Sequence, residues 1–177
     1  MEFAATNIAD AFVIDIKKFE DHRGFFARGW CLNTFADHGI HFTPVQANIG
    51  FSAKKGTLRG LHYQAAPHQE AKLIRCVKGA VFDVIVDVRP ESATYKQWFG
   101  LELSADNYTM LYIPEGCAHG YLSLQDNSEV FYQVSQFYAP GFEQGIRWDD
   151  PTFAIDWPIQ ENLIISDKDQ NWPAFAG

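Results

Sequence analysis

The sequence predicts an all-β fold, a sandwich or barrel of short strands. Three observations point there. Residues 81–89 alternate strictly: Phe82, Val84, Val86 and Val88 fall between Val81, Asp83, Ile85, Asp87 and Arg89. Period two with β-branched side chains is the mark of a strand. Shorter runs of the same kind recur at close spacing with polar or glycine turns between them, and helical periodicity is rare.

The elements follow in chain order. Residues 31–38, closed by Gly39, read as a short helix with a glycine stop. Thr57-Leu58-Arg59-Gly60-Leu61-His62-Tyr63-Gln64 reads as a strand. Residues 72–77 alternate, and Lys78-Gly79 makes a turn toward 81–89. Residues 101–103, the polar turn Ser104-Ala105-Asp106-Asn107 and residues 109–113 read as strand, turn, strand. Residues 129–138 form a further strand with Val130, Tyr132 and Val134 on one face. Ser166-Asp167-Lys168-Asp169 opens a final turn or helix. There is no repeat, low-complexity tract or linker, so residues 1–177 form one domain.

Composition narrows the function. A chain of 177 residues with 47% hydrophobic and 15% aromatic content can bury a core as one unit. A net charge of −8 argues against a general nucleic-acid binder, which needs a basic face. It leaves room for a local cationic pocket, because the field in a cleft is set by its lining. No apolar run is long enough to span a bilayer and no charged-then-apolar leader opens the chain, so no membrane partner is expected. Cys31, Cys76 and Cys117 are odd in number and far apart. Free thiols of that kind suit a reducing compartment, the cytoplasm.

Two motifs carry chemistry. In the 57–64 segment Arg59 supplies a planar fork for a phosphate or carboxylate, and His62 a group that exchanges protons near neutral pH. Packing is the alternative reading of the His62-Tyr63 pair. The second motif is Pro114-Glu115-Gly116-Cys117-Ala118-His119, a tight turn followed by an inward histidine. It resembles the second motif of cupins, a jelly-roll family. Metal-binding cupins add an H-x-H in their first motif, which is absent here; His62, His68, Glu70 and His119 are a conceivable substitute set. His119 as a hydrogen-bonding wall of a pocket is the other reading.

With further segments these motifs resemble the dTDP-4-dehydrorhamnose 3,5-epimerase family, nucleotide-sugar epimerases built on a cupin jelly roll. The segments are Asp21-His22-Arg23-Gly24-Phe25-Phe26, Lys55-Gly56 before Thr57, Ala71-Lys72-Leu73-Ile74-Arg75, residues 81–89, and the Pro114 motif. Gly145-Ile146-Arg147-Trp148-Asp149-Asp150-Pro151 and Ser166-Asp167-Lys168-Asp169 complete them, in an order that covers nearly the whole chain.

The resemblance implies an isomerase acting on a nucleoside-diphosphate 4-keto-6-deoxy sugar, with no cofactor and no metal. The C4 carbonyl acidifies the hydrogens on C3 and C5. A base removes one, an enolate forms, and an acid returns a proton to the other face. By the same resemblance His62 is the base, Asp169 the carboxylate that orients it, Tyr132 the proton donor and Lys72 the cation beside the C4 oxyanion. Arg23, Gln46, Asn48, Arg59, His119, Tyr138, Glu143 and Lys168 are implied as substrate contacts, Tyr138 by stacking on the base. A homodimer is implied too, with the apolar segment 11–14 adding to a neighbour's sheet edge. One geometric condition follows. In a regular strand Arg59 and His62 point to opposite faces, so Gly60 is expected to mark a bulge that turns both into the pocket.

The chain also departs from the family pattern. Arg28 stands where Glu is usual, at a position associated with the nucleotide. Ile49-Gly50-Phe51-Ser52-Ala53 replaces a His-Ser-basic-Ser run, Cys117 a Phe, and Gln133-Val134-Ser135 a Lys-Cys-Thr. All are expected near the ligand, which leaves a mono-epimerase on another nucleotide sugar open. A metal cupin and a non-catalytic sugar-binding jelly roll remain as alternatives.

Overall fold

The computed structural model describes residues 1–176 and is almost entirely β. In chain order the elements are β1 (Glu2–Ala5), β2 (Phe12–Asp15), β3 (Lys18–Asp21), β4 (Gly24–Ala27), α1 (Leu32–Ala36), β5 (Gln46–Ser52), β6 (Thr57–Gln64) and β7 (Lys72–Lys78). They continue with β8 (Ala80–Asp87), β9 (Trp98–Ser104), β10 (Met110–Ile113), β11 (Cys117–Ser123), β12 (Ser128–Val134), β13 (Glu143–Gly145), β14 (Ile164–Ile165) and α2 (Asp167–Gln170). One sheet runs β1-β2-β10-β7-β12-β5 and the other β13-β6-β11-β8-β9, with β14 added parallel to β6. Strands β3 and β4 form a separate hairpin. From β5 to β12 the chain changes sheet at every step except β8 to β9. That alternation is a jelly roll.

The turns at Lys78-Gly79 and after Ser104 are present, but each carries the chain from one sheet to the other instead of closing a hairpin. Gly79 takes φ +70°, and the Asn107 carboxamide oxygen accepts from the backbone N–H groups of Ser104 and Thr109.

Ile74, Cys76, Val81, Ile85, Leu103, Leu111, Ile113 and Val130 fill the space between the sheets. Burial of each large aliphatic side chain contributes about 1.5–3 kcal/mol. The outer face of the second sheet, with Leu58, Leu61, Val84, Val86 and Leu122, is covered by Ile146, Phe153 and Trp157 from the C-terminal segment. Strand β8 is therefore buried on both faces, where alternation with Asp and Arg suggested one. Phe35 of α1 packs with Ile14, Phe42, Leu73, Met110 and Tyr112 against the first sheet.

Two expectations are corrected. Segment 11–14 does not offer a sheet edge, because β2 is paired on both sides, with β1 and β10 of its own chain. The strand expected over 129–138 ends at Val134, so Tyr138 lies in the loop beyond it. Among the described residues no helix is long and apolar enough to cross a membrane. All three cysteines are free thiols.

Candidate active site

Period two decides what meets inside the barrel. Ile74 and Cys76 on β7, Val81 and Ile85 on β8, and Val130 on β12 belong to the core between the sheets. Two residues along the same faces stand Lys72, Asp83 and Tyr132. Strands β7 and β12 thus pass from an apolar plug to a polar lining without changing face, while Asp83 stands between Val81 and Ile85.

Strand β6 breaks the period where expected. Tyr121 of β11 lies opposite Arg59 and His119 opposite His62, so Gly60 and Leu61 of β6 together face the single residue Gly120 of β11. That is a β-bulge. Gly60 holds φ +121°, and a Cβ there would meet the Gly120 Cα at 2.5 Å. A Cβ on Gly120 would in turn meet the Arg59 carbonyl oxygen at 2.6 Å. Only a glycine pair permits this approach. Its consequence is that Arg59, His62, His119 and Tyr121 share one face.

That face opens on a cavity of ≈ 340 Å³ that Lys72, Tyr132, Lys168 and Asp169 also line. An adjoining cavity of ≈ 240 Å³ shares His62, Lys72 and Tyr132 and adds Gln46, Asn48, Tyr138 and Glu143. Every residue of the implied set except Arg23 lines one or the other. Arg23 sits in the β3–β4 turn, its side chain 77% exposed and paired with Asp21.

The histidines are anchored from behind. His62 Nε2 donates to Asp169 Oδ1 at 2.6 Å, and Asp169 Oδ2 accepts from the Gly60 N–H at 3.2 Å. Ser166 caps α2 by accepting from the Asp169 N–H, which fixes the carboxylate's position. Burial pushes the Asp169 carboxyl up. The His62 hydrogen bond and charge, with the Gly60 and Trp172 donors, outweigh it and hold the group below the usual carboxylate range. His119 Nε2 lies 3.0 Å from both oxygens of Asp83, which is fully buried. Neither histidine's Nδ1 has a protein partner among the described residues. A side-chain carboxylate that accepts Nε2–H leaves the proton-free Nδ1 as the nitrogen able to take a proton.

On the other wall, burial first, then the Glu70 charge, pushes the Tyr132 phenol up, against the pull of Arg59. It stays protonated at neutral pH and is a donor. Lys72 Nζ is 3.2 Å from Glu70 Oε1 and 3.4 Å from the His62 carbonyl. Lys168 pairs with Glu143 at 2.5 Å, and the Tyr138 N–H donates to Gln46 Oε1 at 2.7 Å. These contacts tie the cavity rim together across β5, β13 and α2.

The sequence reading missed Asp83, Tyr121 and Trp172. Asp83 had a signal: it is an acid set between Val81 and Ile85 on the inward face of β8. Trp172 packs on Gly145, where any Cβ would collide with it, and stands edge-on to His62 at 6.1 Å. Its distance from His62 in sequence hid it. Two of the departures are not at the cavities. Cys117 lies in the core beside Arg89, where burial pushes its thiol to about 12, and Arg28 is exposed and lines neither cavity. Gly50 and Ile49 do line the first cavity, and Val134 the second. The metal set considered from sequence is not assembled. His68 stacks on Phe142, Glu70 faces Lys72 and Gln64, and His62 and His119 turn to separate carboxylates. Among the described residues no three metal-ligating side chains converge.

Comparison with known proteins identifies the family. A family model described as dTDP-4-dehydrorhamnose 3,5-epimerase matches residues 5–177. A curated enzyme of that name from Shigella flexneri is 44% identical over 177 residues, 99% of this chain and 97% of the relative. A crystal structure of the Bacillus anthracis enzyme of that name, with TDP and PPi bound, superposes with a TM-score of 0.94 at 40% identity, over 98% of this chain and 99% of that one. A 3'-monoepimerase from Streptomyces bikiniensis, in complex with dTDP-quinovose, gives 0.87 at 34% identity, over 96% and 85%. A family model spanning nearly the whole chain and a relative this similar along its full length settle the assignment: the chain belongs to the dTDP-4-dehydrorhamnose 3,5-epimerase family.

Proposed function

We propose that this protein inverts C3, C5 or both in a nucleoside-diphosphate 4-keto-6-deoxy sugar, of the dTDP-4-dehydro-6-deoxy-D-glucose to dTDP-4-dehydro-L-rhamnose type. The observation that carries the proposal is His62 of one sheet, held by Asp169 of α2, facing Tyr132 of the other sheet across a shared cavity. His62 Nδ1 takes the proton from carbon. The electrons move into the C4 carbonyl, and the Lys72 ammonium stabilises the resulting enolate oxygen. Tyr132 gives its phenolic proton to the carbon from the opposite side, which inverts the centre. No step transfers an electron or hydride, so none calls for a redox cofactor. Arg59, Gln46, Asn48, His119, Glu143 and Lys168 bind the substrate, and Tyr138 at the cavity mouth offers a ring to the base.

As a substrate contact, Arg23 would act on the cavity of a second copy. It lines neither cavity of its own chain, and its hairpin presents Phe19 and Phe26, 60% and 66% exposed. We assign a homodimer in which this hairpin reaches the partner's cavity. A monomer by light scattering at micromolar concentration would remove Arg23 from the site. The free thiols support a cytoplasmic location.

Proton NMR of dTDP-4-keto-6-deoxyglucose with the protein in D2O tests the reaction. Loss of the C3 and C5 signals is expected. Loss at C3 alone would make this a mono-epimerase, the activity named for the Streptomyces relative. Binding without loss at either carbon would make it a sugar-binding jelly roll.

A further inference from the structure

We infer that the Tyr121 hydroxyl is a substrate-binding contact, donating a hydrogen bond to a diphosphate oxygen that Arg59 holds. The inference rests on the nucleotide-sugar reading above and adds a residue that reading does not use.

Tyr121 lies directly opposite Arg59 on the inward face, and both line the first cavity. Its ring belongs to the core between the sheets, so the hydroxyl end reaches the cavity wall. Gly50, on the facing strand β5, makes room for it. A Cβ at that position would run into Tyr121 Oη and come within 3.0 Å of a Val130 methyl. Gly50 belongs to the 49–53 segment, where the chain departs from the family pattern. The missing side chain on β5 and the hydroxyl on β11 are two halves of one feature.

The charges define what the hydroxyl meets. Arg59 Nη2 donates to the Phe51 carbonyl at 2.8 Å and Nε to Ser52 Oγ at 3.5 Å. No acidic side chain pairs with it among the described residues, so its charge is left for an anion. Burial pushes the Tyr121 phenol to about 12 against the pull of Arg59. At neutral pH it is therefore an uncharged donor that adds to the anion site without cancelling Arg59. The Ser52 hydroxyl, which accepts from Arg59 Nε, also hydrogen-bonds the Tyr121 oxygen; a Tyr121 that accepts from Ser52 keeps its own proton to donate to an anion.

Calorimetric titration with dTDP tests this in wild type, Tyr121→Phe, Gly50→Ala and the double variant, each checked for fold by circular dichroism. Tyr121→Phe is expected to weaken dTDP about tenfold, the scale of one hydrogen bond to a charged acceptor. Gly50→Ala is expected to weaken it as well, by displacing the hydroxyl. The double variant should bind no worse than Tyr121→Phe, since Phe has no oxygen for the new methyl to strike. Equal dTDP affinity in wild type and Tyr121→Phe overturns the inference, as does a double variant whose losses add. A loss seen with a dTDP-sugar but not with dTDP moves the contact to the sugar and overturns it too. If wild type fails to bind dTDP, the nucleotide reading falls first and this contact with it.

Discussion

Replacing Asp169 by Asn tests the proton chemistry at one atom. The two carboxylate oxygens each accept a different donor: Oδ1 from His62 Nε2 at 2.6 Å, Oδ2 from the Gly60 N–H at 3.2 Å. An amide has one oxygen for both. The Gly60 N–H is backbone and cannot turn away, and leaving it unpaired in a buried site costs about 1–3 kcal/mol. The amide oxygen therefore stays with Gly60, and its NH2 faces His62 Nε2. The Trp172 indole N–H, at 3.4 Å from Oδ1, is the weaker contact and is the one given up. Facing a donor, Nε2 must be the proton-free nitrogen, so the proton moves to Nδ1. The nitrogen that faces the cavity then has no lone pair, and the base is gone. Wrong-tautomer and lost-base effects are on the order of 10²–10⁴ in rate. The assay is deuterium uptake at C3 and C5 in D2O, with imidazole nitrogen shifts reporting the tautomer. Exchange within about threefold of wild type, with the proton shown to sit on Nδ1, would refute His62 Nδ1 as the base.

Three further outcomes are expected. Tyr132→Phe should keep part of the isotope exchange, since His62 still removes and returns a proton on its own face, while epimer formation falls much further; an unchanged ratio of uptake to epimer, with the fold intact, would take Tyr132 out of the mechanism. Activity should survive EDTA and dialysis, and a loss restored by Fe, Mn or Zn would shift the weight to a metal cupin. Asp87→Asn should lower stability by about 2 kcal/mol at pH 7, because hydrogen bonds from Arg89, Ser92 and Thr94 hold the buried Asp87 carboxyl down at about 2. A depressed carboxyl stabilises the fold above its unfolded value near 3.9 and loses that contribution as pH falls, so the gap to wild type in urea unfolding should close between about pH 5 and 2. A gap that stays constant there would mean the clamp works without the charge.

The strands were legible because period two acts locally, and so was the bulge, because Arg59 and His62 can share a pocket only if Gly60 breaks the period. What each strand pairs with was not legible. The turns at Lys78-Gly79 and after Ser104 read as links from strand to strand, and both cross between sheets, since a turn's residues specify its curvature and not the sheet it enters. Tyr138 was placed in a strand because its neighbours are β-formers; the ladder ends at Val134, and beyond it the Tyr138 N–H is satisfied by a Gln46 side chain. In the sequence Asp83 reads as one beat of an alternating run. Its role emerges only when β11 is laid beside β8 and His119 comes within reach.

Two histidines therefore compete for the same task, and burial separates them. His62 and His119 stand opposite each other, each held at Nε2 by a buried carboxylate. The His62 side chain is 31% exposed and belongs to both cavities, whereas His119 is 8% exposed and reaches only the first. Tyr132 also belongs to both cavities. A carbon acid must come within about 3–3.5 Å of its base and have its other face toward the acid. A sugar ring seated where the cavities join would lie between His62 and Tyr132 and would meet His119 only from the side. The difference originates in the sheet itself. His119 lies on β11, flanked by β6 and β8, while His62 lies on β6, whose other neighbour at this point is the three-residue strand β13. A short neighbour leaves the ring open to the rim, and the bulge at Gly60 turns it there.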